Sequence, residues 1–241
     1  MPTARESLLD AAYTILSSRP WDGVRMVDVA AAAGVSRQTL YNEFGSKEGL
    51  ARALVRRETD SYLAGVDRVL SAAAVREGAD AADCCAAAAV WTLRSARTNP
   101  LVRAALTGCR GERLPDAAVS AVPAVPAQRG SVPLGPDVGQ VPGAPSANGL
   151  VAEFRRRAVA VLRESGVRGA GDGEGGARGG VTGGAGAVGE HDKEPDPVGI
   201  HWACEAAARL TLSYVLAPVG SDAEAGRLVS RLVRDVLVGV K

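Results

Sequence analysis

A short segment of the chain, 37–44, concentrates side chains that make hydrogen bonds. At helical spacing, Leu40 and Phe44 lie four residues apart on one face and point to a core. The opposite face of the same predicted helix is polar, and it carries Arg37, Gln38, Tyr41 and Asn42. A guanidinium, a phenol and two amides are groups that recognise the hydrogen-bonding edges of a second molecule.

The residues before this segment predict how it is held. Val29, Ala30 and Ala33 form an apolar stripe at helical spacing, which predicts a helix over 26–33. Gly34 then ends this helix where a residue with positive φ is needed. Ser36 is a good N-cap for the next helix. The pattern is a helix, a tight turn and a second helix, the geometry that places a recognition helix in the major groove of DNA.

The same stretch resembles a known family. The run VDVAAAAGVS, followed by TLY, by Phe44 and by SKEG, is similar to the N-terminal DNA-binding domain of TetR-family regulators, over residues 4–54. Small residues, turn glycine, cap serine, aromatic residue and lysine all fall in register. Arg25 departs from the pattern, because the family often has Ser or Thr as the cap at that position.

The resemblance implies roles for residues at matching positions. Arg37, Gln38 and Asn42 are expected to read bases. Arg25, Thr39, Tyr41 and Lys47 are expected to hold phosphates, and Ser36 completes the predicted DNA-binding set. The resemblance also implies a homodimer that binds operator DNA and answers to a small-molecule effector.

The capping signals along the chain predict an all-α protein of about nine helices. The predicted helices span about 3–18, 26–33, 37–44, 46–70, 81–97, 101–106, 149–164, 197–216 and 221–240. We assign 1–46 to a helix-turn-helix DNA-binding domain and 47–241 to an effector-binding and dimerisation domain. Three consecutive arginines, at 155–157, are expected on a solvated face.

Two segments predict no packed element. The stretch 114–147 contains seven prolines and no aromatic residue, so we interpret it as a long loop. The stretch 166–195 is interpreted as a flexible insert, since twelve of the 24 residues at 166–189 are glycine.

The last two predicted helices carry more apolar face than one subunit can bury. This agrees with TetR-family proteins, whose last two helices resemble half of an intersubunit four-helix bundle. The residues expected at the dimer interface are Leu210, Tyr214, Leu228, Leu232 and Val236.

An effector pocket is implied by the resemblance and not by any motif. Simple core packing explains the same large side chains equally well. The residues expected to line a pocket are Trp91, Leu93, Phe154 and Trp202. Because the effector-binding and dimerisation domain is rich in Ala, Val and Leu, such a pocket would favour a hydrophobic or amphipathic molecule, such as an acyl or alkyl compound. The DNA-binding half is also similar to a subgroup associated with genes of alkane and fatty-acid metabolism.

Composition sets outer bounds on the function. A net charge of +1 gives no evidence for nucleic acid, so the motif alone carries that prediction. No apolar run approaches the length of a membrane span, and the acidic residues of the first segment argue against a signal peptide. We therefore expect a cytoplasmic protein without membrane contact. The four cysteines, at 84, 85, 109 and 204, show neither metal spacing nor a disulfide framework.

Catalysis and cofactor binding find little support. His191 and His201 accompany no nucleophile motif, and the glycine-rich run at 169–176 lacks the strand and helix that a phosphate loop needs. His191 and the acids at 192, 194 and 196 are better explained as a solvated stretch than as a metal site. We expect no enzyme activity, no metal and no cofactor.

The sequence is compatible with two hypotheses for control. In the first, the protein is a repressor released from a palindromic operator by a hydrophobic small molecule. In the second, a DNA-binding regulator answers to thiol oxidation or to a protein partner. For Cys84 and Cys85, buried thiols in an Ala-rich helix are the expected state, and a redox sensor is the alternative.

Overall fold

The computed structural model describes residues 2–108, 147–165, 197–218 and 220–239. Within these ranges the chain forms nine α-helices and one short 3-10 helix, Trp21–Gly23, which confirms the predicted all-α class. The helices are α1 (Ala4–Ser18), α2 (Met26–Ala32), α3 (Arg37–Phe44), α4 (Lys47–Ala74), α5 (Ala81–Thr98), α6 (Pro100–Thr107), α7 (Ala147–Glu164), α8 (Pro197–Leu216) and α9 (Asp222–Gly239). The predicted glycine-rich insert lies outside the described residues, as does the predicted proline-rich loop up to residue 146.

Side-chain caps set several helix starts. The Thr3 hydroxyl accepts a hydrogen bond from the Glu6 amide at 3.2 Å, and the Thr3 amide donates to the Glu6 carboxylate at 2.7 Å. This is a capping box, which satisfies two amides that the first turn leaves without helical partners. At α6, the amides of Leu101 and Val102 donate to Asn99 Oδ1 at 3.0 and 3.3 Å.

The described chain divides into two compact units. The first comprises Met1–Tyr62 and Ala96–Leu150, and the second comprises Leu63–Ser95 and Val151–Lys241. The long helix α4 contributes residues to both. The domain boundary after residue 46 stays a prediction.

The core of the first unit is built from α1 to α4. Leu8, Val29, Leu40 and Leu54 are at most 1% exposed and belong to one apolar cluster. Trp21 is buried in the same cluster. Leu101, at the start of α6, joins this cluster from a distant part of the sequence.

In the second unit, α8 packs against α9. The arginines at 155–157 depart from the expected solvated face. Arg155 pairs with Glu205 at 2.9 Å, and Arg157 pairs with Glu153 at 2.7 Å and also with Asp67. The prediction was therefore wrong for the first and third arginines, whose side chains are only 31% and 28% exposed. Helical spacing alone does not show that a neighbouring helix supplies carboxylates.

No helix in the described ranges combines the length and the apolar character that crossing a membrane requires.

Candidate nucleic-acid interface

The turn between α2 and α3 has the geometry that the sequence predicts. Gly34 has a φ of 68°, a left-handed conformation that side chains with a Cβ rarely adopt. The Val35 amide donates back to the carbonyl of Ala30 at 3.0 Å, which closes the end of α2. The turn therefore sets the direction in which α3 leaves α2.

Ser36 caps α3 as expected. Its hydroxyl accepts a hydrogen bond from the Thr39 amide at 3.0 Å, and the two hydroxyl oxygens lie 2.8 Å apart. At α2, by contrast, Arg25 makes no capping hydrogen bond, in line with its departure from the family pattern. The start of α3 is thus capped by a side chain, whereas the start of α2 is not.

The two faces of α3 separate as the spacing predicts. Leu40 is 1% exposed and Phe44 is 9% exposed, so both belong to the core. The side chains on the opposite face are all exposed; they are Arg37, Gln38, Tyr41 and Asn42. Four hydrogen-bonding groups therefore project from one short helix into solvent.

Two of these groups are already paired with each other. Gln38 Nε2 donates to Asn42 Oδ1 at 2.8 Å, across one turn of the helix. Arg37 forms no ion pair with any residue in the described part of the chain. Its guanidinium is therefore available to a ligand, while the two amides present a joined polar surface.

The residues predicted to hold phosphates lie around this helix. Arg25 is 74% exposed on its side chain and pairs with Asp28 at 3.4 Å, and Arg19 meets the same carboxylate at 3.1 Å. Lys47 donates to the main-chain carbonyl of Asp22 at 3.2 Å and lies 5.5 Å from the centre of the Trp21 ring. An ammonium has three donors, so one such bond leaves two for a phosphate.

The start of α4 approaches α3 closely at Gly49. A Cβ built at this position would lie 1.9 Å from the carbonyl oxygen of Phe44, which no side chain can do. The glycine of the SKEG motif is therefore required by packing, and it lets α4 support the end of α3.

Sequence reasoning missed a further residue at this site, Arg5 of α1. Its Nη1 donates to the main-chain carbonyl of Glu43 at 3.1 Å, and its guanidinium carbon lies 4.6 Å from the centre of the Phe44 ring. The contact joins residues 38 positions apart. Its sequence signal is a cation in the first turn of a helix, where the helix dipole disfavours positive charge.

In the second unit, the four residues predicted to line an effector pocket occupy different environments. Leu93 and Phe154 are buried, at 4% and 3% exposed. Trp91 is half-buried and packs against Gly65 of α4, while Trp202 is 61% exposed on α8. Their role in ligand binding stays a prediction.

A surface groove of about 1000 Å³ lies in the same unit, between α4, α5 and α9. Val69, Ala72 and Val90 contribute apolar side chains to it, and Arg227 and Arg231 contribute positive charge. None of the four predicted pocket residues lines this groove.

The predicted dimer face is partly exposed in the single chain. On α9, Val229 and Val233 are fully buried within the subunit. The five residues assigned to the interface are each half-buried; they are Leu210, Tyr214, Leu228, Leu232 and Val236. An apolar flank beside a filled core is what an intersubunit contact would cover.

Three of the cysteines are buried in the second unit: Cys84, Cys85 and Cys204. Burial, together with the charges of Asp83 and Asp80, raises the pKa of Cys84 to about 11. A hydrogen bond with Cys204 and burial raise the pKa of Cys85 well above its ordinary value. Such thiols are inert, because the thiolate is the reactive form. Cys109 lies outside the described residues.

No cluster of His, Cys, Asp or Glu suited to a metal ion occurs in the part of the chain that the structure describes. The stretch around His191, which we interpreted as solvated, lies outside it.

Comparison with known proteins identifies the helix-turn-helix. A family model described as "Bacterial regulatory proteins, tetR family" matches residues 8–54. The chain is 47% identical over 68 residues to the HTH-type transcriptional regulator AlkX of Mycobacterium tuberculosis, which is 28% of this chain and 32% of AlkX. It is 38% identical over 64 residues to the HTH-type transcriptional repressor LfrR of Mycolicibacterium smegmatis, covering 27% of this chain and 33% of LfrR. The matches thus span about a third of the length of these two curated relatives.

Among solved structures, the chain is similar to the TetR family repressor AlkX from Dietzia sp. strain DQ12-45-1b, implicated in biodegradation of n-alkanes. The TM-score is 0.49 at 21% identity, with 97% of this chain and 95% of that chain covered. The curated relatives are named as transcriptional regulators, in agreement with the prediction that the chain is not an enzyme. Residues 8–54, which form the helix-turn-helix of this chain, therefore match the tetR family of bacterial regulatory proteins.

Proposed function

We propose that this protein is a homodimeric repressor that binds a palindromic DNA operator and is released from it by a hydrophobic small molecule. The observation that carries the DNA-binding part is the exposed polar face of α3, which a capped start and the Gly34 turn hold out on a helix-turn-helix. The name of LfrR, a repressor, supports the direction of control.

The chemistry of the exposed face suits the major groove. A guanidinium such as that of Arg37 can donate both its terminal N–H groups to the O6 and N7 atoms of guanine. The amides of Gln38 and Asn42 can pair with the N6 and N7 atoms of adenine. Arg25, together with Lys47, would meet phosphates beside the groove, where contacts set register and carry no sequence information.

In a dimer, the two helix-turn-helix domains are related by symmetry. Two copies related by a twofold axis present two α3 helices to half-sites about one helical turn, or a multiple of it, apart. The half-buried residues of α8 and α9 supply the apolar surface that such a pair needs. The operator is therefore expected to be palindromic.

Selection of duplexes from a random pool by the purified protein tests the DNA-binding part. We expect an enriched palindrome, and Arg37→Ala should weaken binding to it by about 1–3 kcal/mol and relax preference at one base pair of each half-site. Arg163→Ala, an exposed arginine of α7, is the matched control and should bind like wild type. Wild-type affinity for Arg37→Ala would contradict the assignment.

Salt dependence distinguishes phosphate contacts from base contacts. Lys47→Ala should weaken binding to all duplexes. It should also make the negative slope of log affinity against log salt less steep, by about 1 for each subunit. An unchanged slope would mean that Lys47 only holds the Trp21 turn in place.

The apolar interior of the second unit supports a hydrophobic effector. Its buried side chains are aliphatic or aromatic, apart from cysteines and a few hydroxyl groups, those of Thr92, Thr211 and Ser230. No charged side chain is buried among the described residues. A cavity opened in such a core would admit an acyl or alkyl chain more readily than a charged molecule.

Titration with a long-chain acyl compound tests the effector. A coupling of 1–3 kcal/mol corresponds to roughly 5- to 150-fold weaker operator binding. Tryptophan fluorescence should change with the same midpoint as release. If a panel of apolar compounds leaves both signals flat while thiol oxidation or an added protein partner releases DNA, the second hypothesis for control replaces this one.

A further inference from the structure

Arg5 occupies a position that its own helix disfavours. It lies in the first turn of α1, where the helix dipole is positive and a cation is unfavourable. Its guanidinium instead reaches the last residues of α3, where the dipole is negative and a cation is favourable. The last turn of α3 has no basic residue of its own. Arg5 of α1 therefore supplies the positive charge at this helix end.

The contacts that Arg5 makes differ in how much they constrain α3. Its ion pair with the Glu43 carboxylate, at 3.4 Å, joins side chains that are 48% and 36% exposed, so solvent weakens it. Its hydrogen bond to the Glu43 carbonyl, at 3.1 Å, holds the main chain itself. The guanidinium also lies over the Phe44 ring, 4.6 Å from its centre. These last two contacts fix where the helix ends.

We propose that Arg5 is a positioning residue for base recognition, which holds the carboxyl-terminal end of α3 and with it the amide of Asn42. Asn42 directly precedes Glu43, and its hydrogen bond from Gln38 joins it to the preceding turn. A displaced helix end would therefore move both amides away from the base edges. This inference rests on the proposed function, because it concerns the same DNA site.

Specificity is the property that this role controls. Arg5→Met keeps the aliphatic stem and removes the charge and the donors. On a duplex selected by the wild-type protein, we expect affinity to fall about three- to tenfold. On a scrambled duplex the change should be less than about twofold, with the salt slope unchanged. Arg5→Lys keeps a cation and a donor, and should recover most of the lost affinity.

Arg56→Met is the matched control. It removes the same charge from an exposed pair with Asp60 on α4, at 3.7 Å, and should bind both duplexes like wild type. If Arg5→Met instead weakens both duplexes equally and lowers the salt slope, Arg5 is a phosphate contact and the positioning role is wrong.

A measurement without DNA separates this inference from the proposed function. The Gly45 amide donates to the Tyr41 carbonyl at 2.8 Å at the end of α3. In Arg5→Met we expect hydrogen exchange at Phe44 and Gly45 to become several-fold faster, with no change at Leu9 in the middle of α1. Should the wild-type protein select no DNA sequence, the proposed function fails, but this exchange measurement still decides whether Arg5 holds the end of α3. Unchanged exchange at Gly45 would overturn the positioning role whatever the DNA results.

Discussion

Asn99 Nδ2 donates a hydrogen bond to Glu58 Oε2 at 2.7 Å, and so joins the residue that caps α6 to the middle of α4. The other oxygen of Glu58 accepts from Arg57 at 2.8 Å, and Arg57 also pairs with Asp10 of α1 at 2.6 Å. Within the first unit, the start of α6 is therefore tied through one polar chain to α4 and α1. Leu101 adds an apolar contact at the same place.

Removing the Asn99 side chain should destabilise the protein. Asn99→Ala loses both the cap on α6 and the donor to Glu58, whose side chain is only 13% exposed, so a cost of about 1–3 kcal/mol is expected. Denaturation in urea measures it. Asn148→Ala, an exposed asparagine in the first turn of α7, is the control and should change stability by less than about 0.5 kcal/mol. Equal stability of the two variants would show that the Asn99 contacts contribute nothing.

Gly65 of α4 is required by the Trp91 ring. A Cβ built at Gly65 would lie 2.1 Å from Cζ2 of Trp91. The guanidinium carbon of Arg68 lies 5.6 Å from the centre of the same ring. Gly65→Ala should therefore lower stability by about 1–3 kcal/mol through overpacking, although alanine favours helix. Urea denaturation followed by tryptophan fluorescence would report the loss of stability, and the fluorescence of the folded state would report a change around Trp91.

Gly239→Ala provides the control for this prediction, since no atom lies within 4 Å of a Cβ built there. It should be neutral. A Gly65→Ala variant as stable as wild type would mean that the Trp91 ring moves aside without cost. That result would favour its predicted place in an effector pocket over its place in the core.

The buried thiols should resist modification. With its pKa raised to about 11, only about one Cys84 thiol in a thousand is ionised at pH 8. In a Cys109→Ser background, we expect the reaction with a disulfide reagent to be far slower in the folded protein than in urea. Fast labelling of Cys84 together with loss of DNA binding would support control by thiol oxidation.

The same shift has a consequence for stability at high pH. The Cys84 thiol titrates near 9 in the unfolded chain and near 11 in the folded protein, so the folded state retains its proton over a wider range. The stabilisation that this proton affinity gives is present below pH 9 and is lost as the pH rises towards 11. Cys84→Ala should remove that part of the pH dependence.

Helix starts and faces could be predicted because the signals are local. The capping box of Thr3 and Glu6, the Gly34 turn and the Ser36 cap each involve residues within five positions of one another. The apolar pair Leu40 and Phe44 defines a face by spacing alone. The bounds of α3 are accordingly the predicted ones.

Contacts between distant residues could not be predicted in this way. Nothing in the spacing shows that Arg5 meets Glu43, that Glu58 meets Asn99, or that Trp91 covers Gly65. Each depends on which helices become neighbours, and this is decided by the whole apolar core. For the same reason the spacing could not show that the side chain of Trp202 is exposed on α8.

A charge on the predicted dimer face should separate the subunits. Leu232 is half-buried in the single chain, on the flank of α9 beside Val236. If a second copy covers this flank, Leu232→Glu would bury an unpaired carboxylate, which costs far more than the lost apolar contact. Sedimentation equilibrium should then show monomer or insoluble protein. Val238→Glu places the same charge on an exposed side chain, 53% exposed on another flank of α9, and should remain dimeric. A folded dimer from Leu232→Glu would mean that the subunits meet through another surface.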